Sequence, residues 1–164
     1  MSDFDDVLAA NARYAEGFDL GGLDAVARAG LAIVTCMDSR IDPLAMTGLR
    51  AGDVKILRNA GARVTDDVLR TLVLATHLLG VDRIMVVPHT NCKMASATQE
   101  QIVEVIREGS GIDTRSLEFG VVRDQRWSLL VDVERIRHWP FLPPGVRVGG
   151  FVYDVYTGRL DHVV

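Results

Sequence analysis

Leu31-Ala32-Ile33-Val34-Thr35, with Cys36 directly behind it, decides the fold. It is a short continuous apolar run, which suits a strand buried on both faces rather than an alternating surface strand. Working outward, Asp42 and Pro43 supply a cap and a first-turn proline for a short helix ending near Gly48, and Val54-Lys55-Ile56-Leu57 forms a second strand. Thr65 caps the clearest helix of the chain. Asp66 and Asp67 stand in its first turn, Val68, Leu69, Leu72, Val73, Thr76 and Leu79 lie on one stripe, and Gly80 stops it. Arg83-Ile84-Met85-Val86-Val87 is the third strand, with His89 and Cys92 just past its end.

Further along, Thr98 to Glu108 is expected as a helix closed by Gly109, and Gly109 to Phe119 as a loop. A helix is expected from Arg123 to His138, with Trp127, Leu130, Val131, Glu134 and Ile136 only partly in phase, ended by Pro140, Pro143 and Pro144. Val146 to Tyr153 makes a fourth strand, and Thr157-Gly158-Arg159 turns the chain into a last short strand, Leu160 to Val164. At the other end, Ser2 or Asp3 is expected to cap a helix with Phe4, Val7, Leu8, Asn11, Ala15 and Phe18 on one stripe, stopped by Gly17. That stripe can pack on its own sheet or lie as an arm on a partner subunit. Strands alternating with helices indicate an α/β fold, a mostly parallel central sheet covered on both faces.

Composition narrows the function. The chain has 164 residues, 48% apolar, enough for one domain over 1–164 that needs no disulfide staples. Its 18 basic and 22 acidic side chains leave a formal charge of −4, and no basic run tracks a phosphate backbone, so nucleic acid is not an expected partner. No apolar stretch approaches the ~20 residues of a membrane span. The acidic first residues do not resemble a signal or transit peptide, so a cytoplasmic location is expected, with Cys36 and Cys92 as thiols.

In parallel sheets, ligands bind outside the carboxyl ends of the strands. Cys36 and the His89/Cys92 pair both occupy that edge. Two thiolates and an imidazole are ligands that zinc prefers, and three protein ligands leave a fourth position open, a catalytic rather than a closed structural stoichiometry. His77, His138 and His162 are not placed to close the shell. A disulfide, a cysteine nucleophile with His89 as its base, and a pair of core cysteines are the alternatives. Zinc with two thiolates is a neutral centre and acidifies water less than an ion held by three histidines, so further help is needed. Asp38, two residues from Cys36, can orient the metal-bound oxygen, and Arg40 can hold that carboxylate ionised by a bidentate pair. Asn59, Ala60 and Gly61 close the second strand on the same edge, where small residues let backbone approach a small ligand.

Cys-x-Asp-x-Arg at 36–40, Arg-Asn-Ala-Gly at 58–61 and His-x-x-Cys at 89–92, in that order, resemble the β-class carbonic anhydrases. The resemblance runs from about Asn11 to the strand at Gly150–Asp154. It implies a four-stranded parallel core with a further edge strand, and a homodimer or larger oligomer whose N-terminal helices, here residues 1–22, embrace the partner. It also implies zinc, one ion per chain, on Cys36, His89 and Cys92, with Asp38 a fourth ligand only in a closed state and Arg40 its holder. The implied reaction is hydration of carbon dioxide to bicarbonate and a proton by zinc-hydroxide attack. Hydrolysis of carbonyl sulfide or carbon disulfide on the same fold, and a catalytically silent zinc-binding homologue, are the other readings. Three departures from the family stand out: Lys93 where glycine is common, Pro88 before His89, and no glutamine ahead of the first strand. A left-handed backbone at 93 would strain a lysine.

Overall fold

The computed structural model describes residues 3–164. Five strands form one sheet in the order β2-β1-β3-β4-β5: β1 (Leu31–Cys36), β2 (Val54–Asn59), β3 (Arg83–Val87), β4 (Arg147–Tyr153) and β5 (Leu160–His162). The first four are parallel and β5 runs antiparallel to β4. All six residues of β1 are buried, as its continuous apolar run requires for a central strand. Thr35, its one hydroxyl, is satisfied by donating to the Val87 carbonyl at 2.8 Å.

Alternation along the strands divides the core. Ala32, Val34, Ile84 and Val86 face the layer of α3 (Asp66–Leu78) and α5 (Gln125–Arg137), where Leu69, Leu72, Leu129, Val133 and Ile136 are almost wholly buried. Burying each such side chain contributes roughly 2 kcal/mol. Leu31, Ile33, Met85, Val87 and Phe151 face the other way. Met46 of α2 (Pro43–Thr47) and Leu49 pack on that side, while a groove of about 310 Å³ stays open beside Leu31, Met85 and Phe151. Cover on this face is thus partial in the single chain.

Local chemistry sets the element ends. The Asp42 carboxylate accepts from the Leu44 and Ala45 amides and Pro43 opens α2, while Gly48 closes it at φ 67°. Thr65 caps α3 by accepting from the Val68 amide. In α4 (Gln99–Ser110), Thr98 and Gln101 form a reciprocal capping box.

Four expectations are corrected. Helix α4 runs through Gly109 to end at Gly111, whose φ of 72° makes it the true stop. Helix α5 starts two residues later than expected, because the Asp124 carboxylate caps the Trp127 amide. Its buried face is Leu129, Asp132, Val133 and Ile136, while Trp127 and Val131 are exposed. Helix α1 (Asp5–Glu16) is preceded by Phe4 rather than capped by Asp3; Ser2 lies outside the described residues. No residue of α1 is buried, and Phe4, Val7, Leu8 and Phe18 all stand exposed, so the stripe does not pack on its own sheet.

Candidate metal centre

Parallel pairing in register brings the carboxyl ends of β1, β2 and β3 to one edge, with Cys36 opposite Asn59 and Thr35 opposite Val87. Cys36 ends β1, and the segment after β3 carries His89 and Cys92. The donor atoms of Cys36, His89 and Cys92 lie within 4.8 Å of one another, and all three residues are buried. Both cysteines are free thiols. Among the described residues this is the one His/Cys/carboxylate group of that kind, so His77, His138 and His162 do not close the shell.

The imidazole is already oriented. Its Nδ1 lies 2.8 Å from the Thr90 carbonyl, which can only accept, so the proton sits on Nδ1 and the Nε2 lone pair is free. Nε2 is buried with no hydrogen-bond partner. A buried orphan acceptor aimed at two sulfurs fits a metal ion, and two thiolates with one imidazole fit zinc. Burial pushes the Cys92 thiol above its ordinary pKa, and the nearby Cys36 sulfur pushes it the same way. A divalent cation reverses that tendency and takes the thiolate.

Asp38 stands beside the cluster, its Oδ2 3.7 Å from His89 Nε2. Arg40 grips both carboxylate oxygens, donating from Nε to Oδ1 at 2.9 Å and from a terminal nitrogen to Oδ2 at 2.8 Å, while its backbone amide donates to Oδ1 at 3.0 Å. These bonds hold the carboxyl well below the ordinary carboxylate range, so it is ionised at neutral pH. Arg40 also donates to the Asn91 carbonyl at 3.1 Å, tying the dyad to the segment between His89 and Cys92.

The turn after β2 approaches from the other side. Gly61 is left-handed at φ 81° and its amide points at Cys36 Sγ, 3.4 Å away. A side chain there would meet Met94 Cβ at 3.2 Å, which is why glycine stands at this position. Asn59 braces the turn through its side-chain amide, donating to the Arg63 carbonyl and accepting from the Arg63 backbone. The brace ends in the buried Asp132 of α5, which accepts from Arg63 Nε at 2.7 Å and from the Val64 amide at 3.3 Å.

Three side chains at the site have contacts that the sequence reading does not assign. Arg58 donates to the Cys36 and Asp38 carbonyls at 2.9 and 2.7 Å, clamping the loop that carries both residues. Gln125 donates to the His89 carbonyl at 2.7 Å, although it lies far downstream of the first strand. Asn91, left-handed at φ 55°, joins Arg40 to Tyr156. Arg58 is signalled by its place at the end of β2, whereas the other contacts join distant segments and leave no local pattern.

A sequence model of the carbonic anhydrase family matches residues 31–115. The chain is 40% identical over 166 aligned positions to beta-carbonic anhydrase 1 of Mycobacterium tuberculosis, covering 99% of each. It superposes on the crystal structure of the carbonic anhydrase of Streptococcus mutans with a TM-score of 0.91 at 36% identity, covering 100% of this chain and 99% of that one. The chain belongs to the β-carbonic anhydrases. Similarity also extends to carbon disulfide hydrolase of Acidithiobacillus thiooxidans, 32% identical over 78% of this chain and 74% of that protein.

Two departures from this family are accommodated. Lys93 opens a short 3-10 turn and is not among the left-handed residues, so the lysine is unstrained there. Pro88 has no amide to donate, and its carbonyl accepts from Tyr153 on β4.

Proposed function

We propose that this β-carbonic anhydrase interconverts carbon dioxide with bicarbonate and a proton, with Cys36, His89 and Cys92 holding one zinc ion. The observation that carries this reading is the buried orphan Nε2 of His89 facing two free cysteines, with an Arg-held carboxylate alongside. Zinc held by these three residues would supply Lewis-acid chemistry, which makes a water nucleophilic near neutral pH. Asp38, whose Oδ2 lies 3.7 Å from His89 Nε2, would accept a hydrogen bond from a water at the cluster and orient it toward the substrate. Arg40 keeps Asp38 ionised and away from the cluster. The Gly61 amide draws charge from the Cys36 sulfur, which offsets part of the neutralisation by two thiolates. Ile41, Met46, Ala62, Met94 and Tyr153 pack around the two cysteines and make an apolar surround suited to an uncharged linear molecule. Asn59, Ala60 and Gly61 wall the substrate space by shape, since the Asn59 side chain is taken up by Arg63 and the Gly61 amide by Cys36.

Carbon disulfide or carbonyl sulfide hydrolysis is the second reading, favoured only by the partial likeness to carbon disulfide hydrolase. A silent homologue with Asp38 on the metal is disfavoured by the grip of Arg40 on both carboxylate oxygens. We also propose a homodimer, or a larger assembly built from it, with residues 1–22 as an arm that buries the exposed stripe of α1 on a second copy. We further propose a single domain over 1–164, the arm included, working in the cytoplasm, where thiols stay reduced. Among the described residues no helix is long and apolar enough to cross a membrane. The test is to offer zinc-loaded protein carbon dioxide, carbonyl sulfide and carbon disulfide in parallel. Rapid acidification with carbon dioxide and background sulfide release are expected. Sulfide release without carbon dioxide hydration would overturn the assignment.

A further inference from the structure

Hydrogen bonds dock the end of β4 and the turn after it onto the segment between His89 and Cys92, and three of them bear on Tyr156. Thr90 donates its amide to the Tyr153 carbonyl at 2.9 Å, and Val155 donates its amide to Thr90 Oγ1 at 3.1 Å. These two use the backbone of the turn and would hold it in place whatever side chain stood at 156. The third joins Asn91 Nδ2, the donor, to Tyr156 Oη. Tyr156 is 74% exposed, so burial does not fix its ring; this hydrogen bond does.

Asn91 is one of two non-glycine residues with positive φ among those described, and asparagine is a residue that tolerates that conformation. Its left-handed turn delivers the Asn91 carbonyl to the same terminal nitrogen of Arg40 that serves Asp38 Oδ2. The guanidinium is therefore held from two sides, by the carboxylate and by the Asn91 carbonyl. Without the second hold, the guanidinium would be fixed by the bidentate pair with Asp38, two residues away and partly exposed. Asp38 Oδ2 already lies only 3.7 Å from His89 Nε2, so a small rotation brings the carboxylate into the cluster.

We infer that Tyr156 is a positioning residue: through Asn91 it anchors the guanidinium of Arg40 and so keeps the Asp38 carboxylate from occupying the metal's open position. The inference rests on the metal site proposed above. The test is azide binding to the full chain loaded with cobalt(II), followed by visible absorption, which reads access to the metal without turnover. A competing Asp38-bound state lowers apparent affinity in proportion to its population. Tyr156→Phe, which removes only the hydroxyl, is expected to weaken azide binding roughly three- to tenfold. Asn91→Gly, which keeps the left-handed backbone, should do the same, and the double variant should add nothing further. In an Asp38→Ala background the Tyr156→Phe effect should vanish. An azide affinity unchanged in Tyr156→Phe, an equal loss in the Asp38→Ala background, or additive losses in the double variant would each overturn the inference while leaving the metal site standing. A parent protein that takes up no cobalt would instead overturn the metal site, and this inference with it.

Discussion

Replacing Asp132 with asparagine should destabilise the fold far more than losing an ordinary surface charge. The Asp132 side chain is 4% exposed and accepts from Arg63 Nε at 2.7 Å, from a second Arg63 nitrogen at 3.3 Å and from the Val64 amide at 3.3 Å. Asparagine keeps the size but leaves the Arg63 charge, itself 28% exposed, without a counter-ion. Removing one partner of a buried pair costs ~3–5 kcal/mol, and the residual exposure of Arg63 places this case near the lower end. For a chain of this length ~3 kcal/mol corresponds to a fall in Tm of ~6–12 °C. Asp66→Asn is the control, because Asp66 pairs with Arg135 while 91% exposed, where a pair contributes at most ~1 kcal/mol. Thermal melts followed by circular dichroism read both. The same variant should release zinc faster, since Arg63 and Val64 tether the turn that carries Gly61 to the Cys36 sulfur. A fall in Tm no larger than that of Asp66→Asn would refute the reasoning.

Arg40→Met should lower kcat/KM for carbon dioxide by ~10–100-fold with zinc content unchanged, the usual cost of losing a partner that orients a group at a metal; activity within twofold of the parent would remove Arg40 from the site. Because burial raises the Cys92 thiol above its ordinary pKa, the metal-free protein carries that proton at neutral pH and zinc must displace it. Zinc affinity should therefore rise by about tenfold or more per pH unit between pH 6 and 8, checked by competition with a chelator, and a flat profile would exclude a thiolate ligand at 92. Leu8→Asp puts a charge in the exposed stripe of α1 and should shift the sedimentation mass from dimer toward monomer; an unchanged mass would contradict the arm.

The strands and the helices α2 and α3 were legible because their signals are local. A continuous apolar run at 31–35, the Asp42-Pro43 cap and the Thr65 cap each act within a few residues. The metal site was legible for a different reason: parallel strands place their carboxyl ends together, so ligands far apart in sequence reach one edge. Helix α5 was legible as a helix but its buried face was not, because that face contains Asp132, whose place there depends on an arginine from another element. Gly109 suggested an early stop to α4, but a single glycine costs a helix only about 1 kcal/mol, and the left-handed Gly111 ends it. The contacts of Gln125 with His89 and of Asn91 with Tyr156 were invisible because their spacing follows from the tertiary path alone.

The most direct test is stopped-flow hydration of carbon dioxide by the zinc-loaded protein at mildly alkaline pH, with Cys92→Ala beside it. Rapid turnover in the parent, lost in the variant together with its zinc, is the expected result. One zinc per chain in the parent with no hydration above buffer, or full activity in Cys92→Ala, would contradict the assignment of a zinc-dependent carbonic anhydrase built on Cys36, His89 and Cys92.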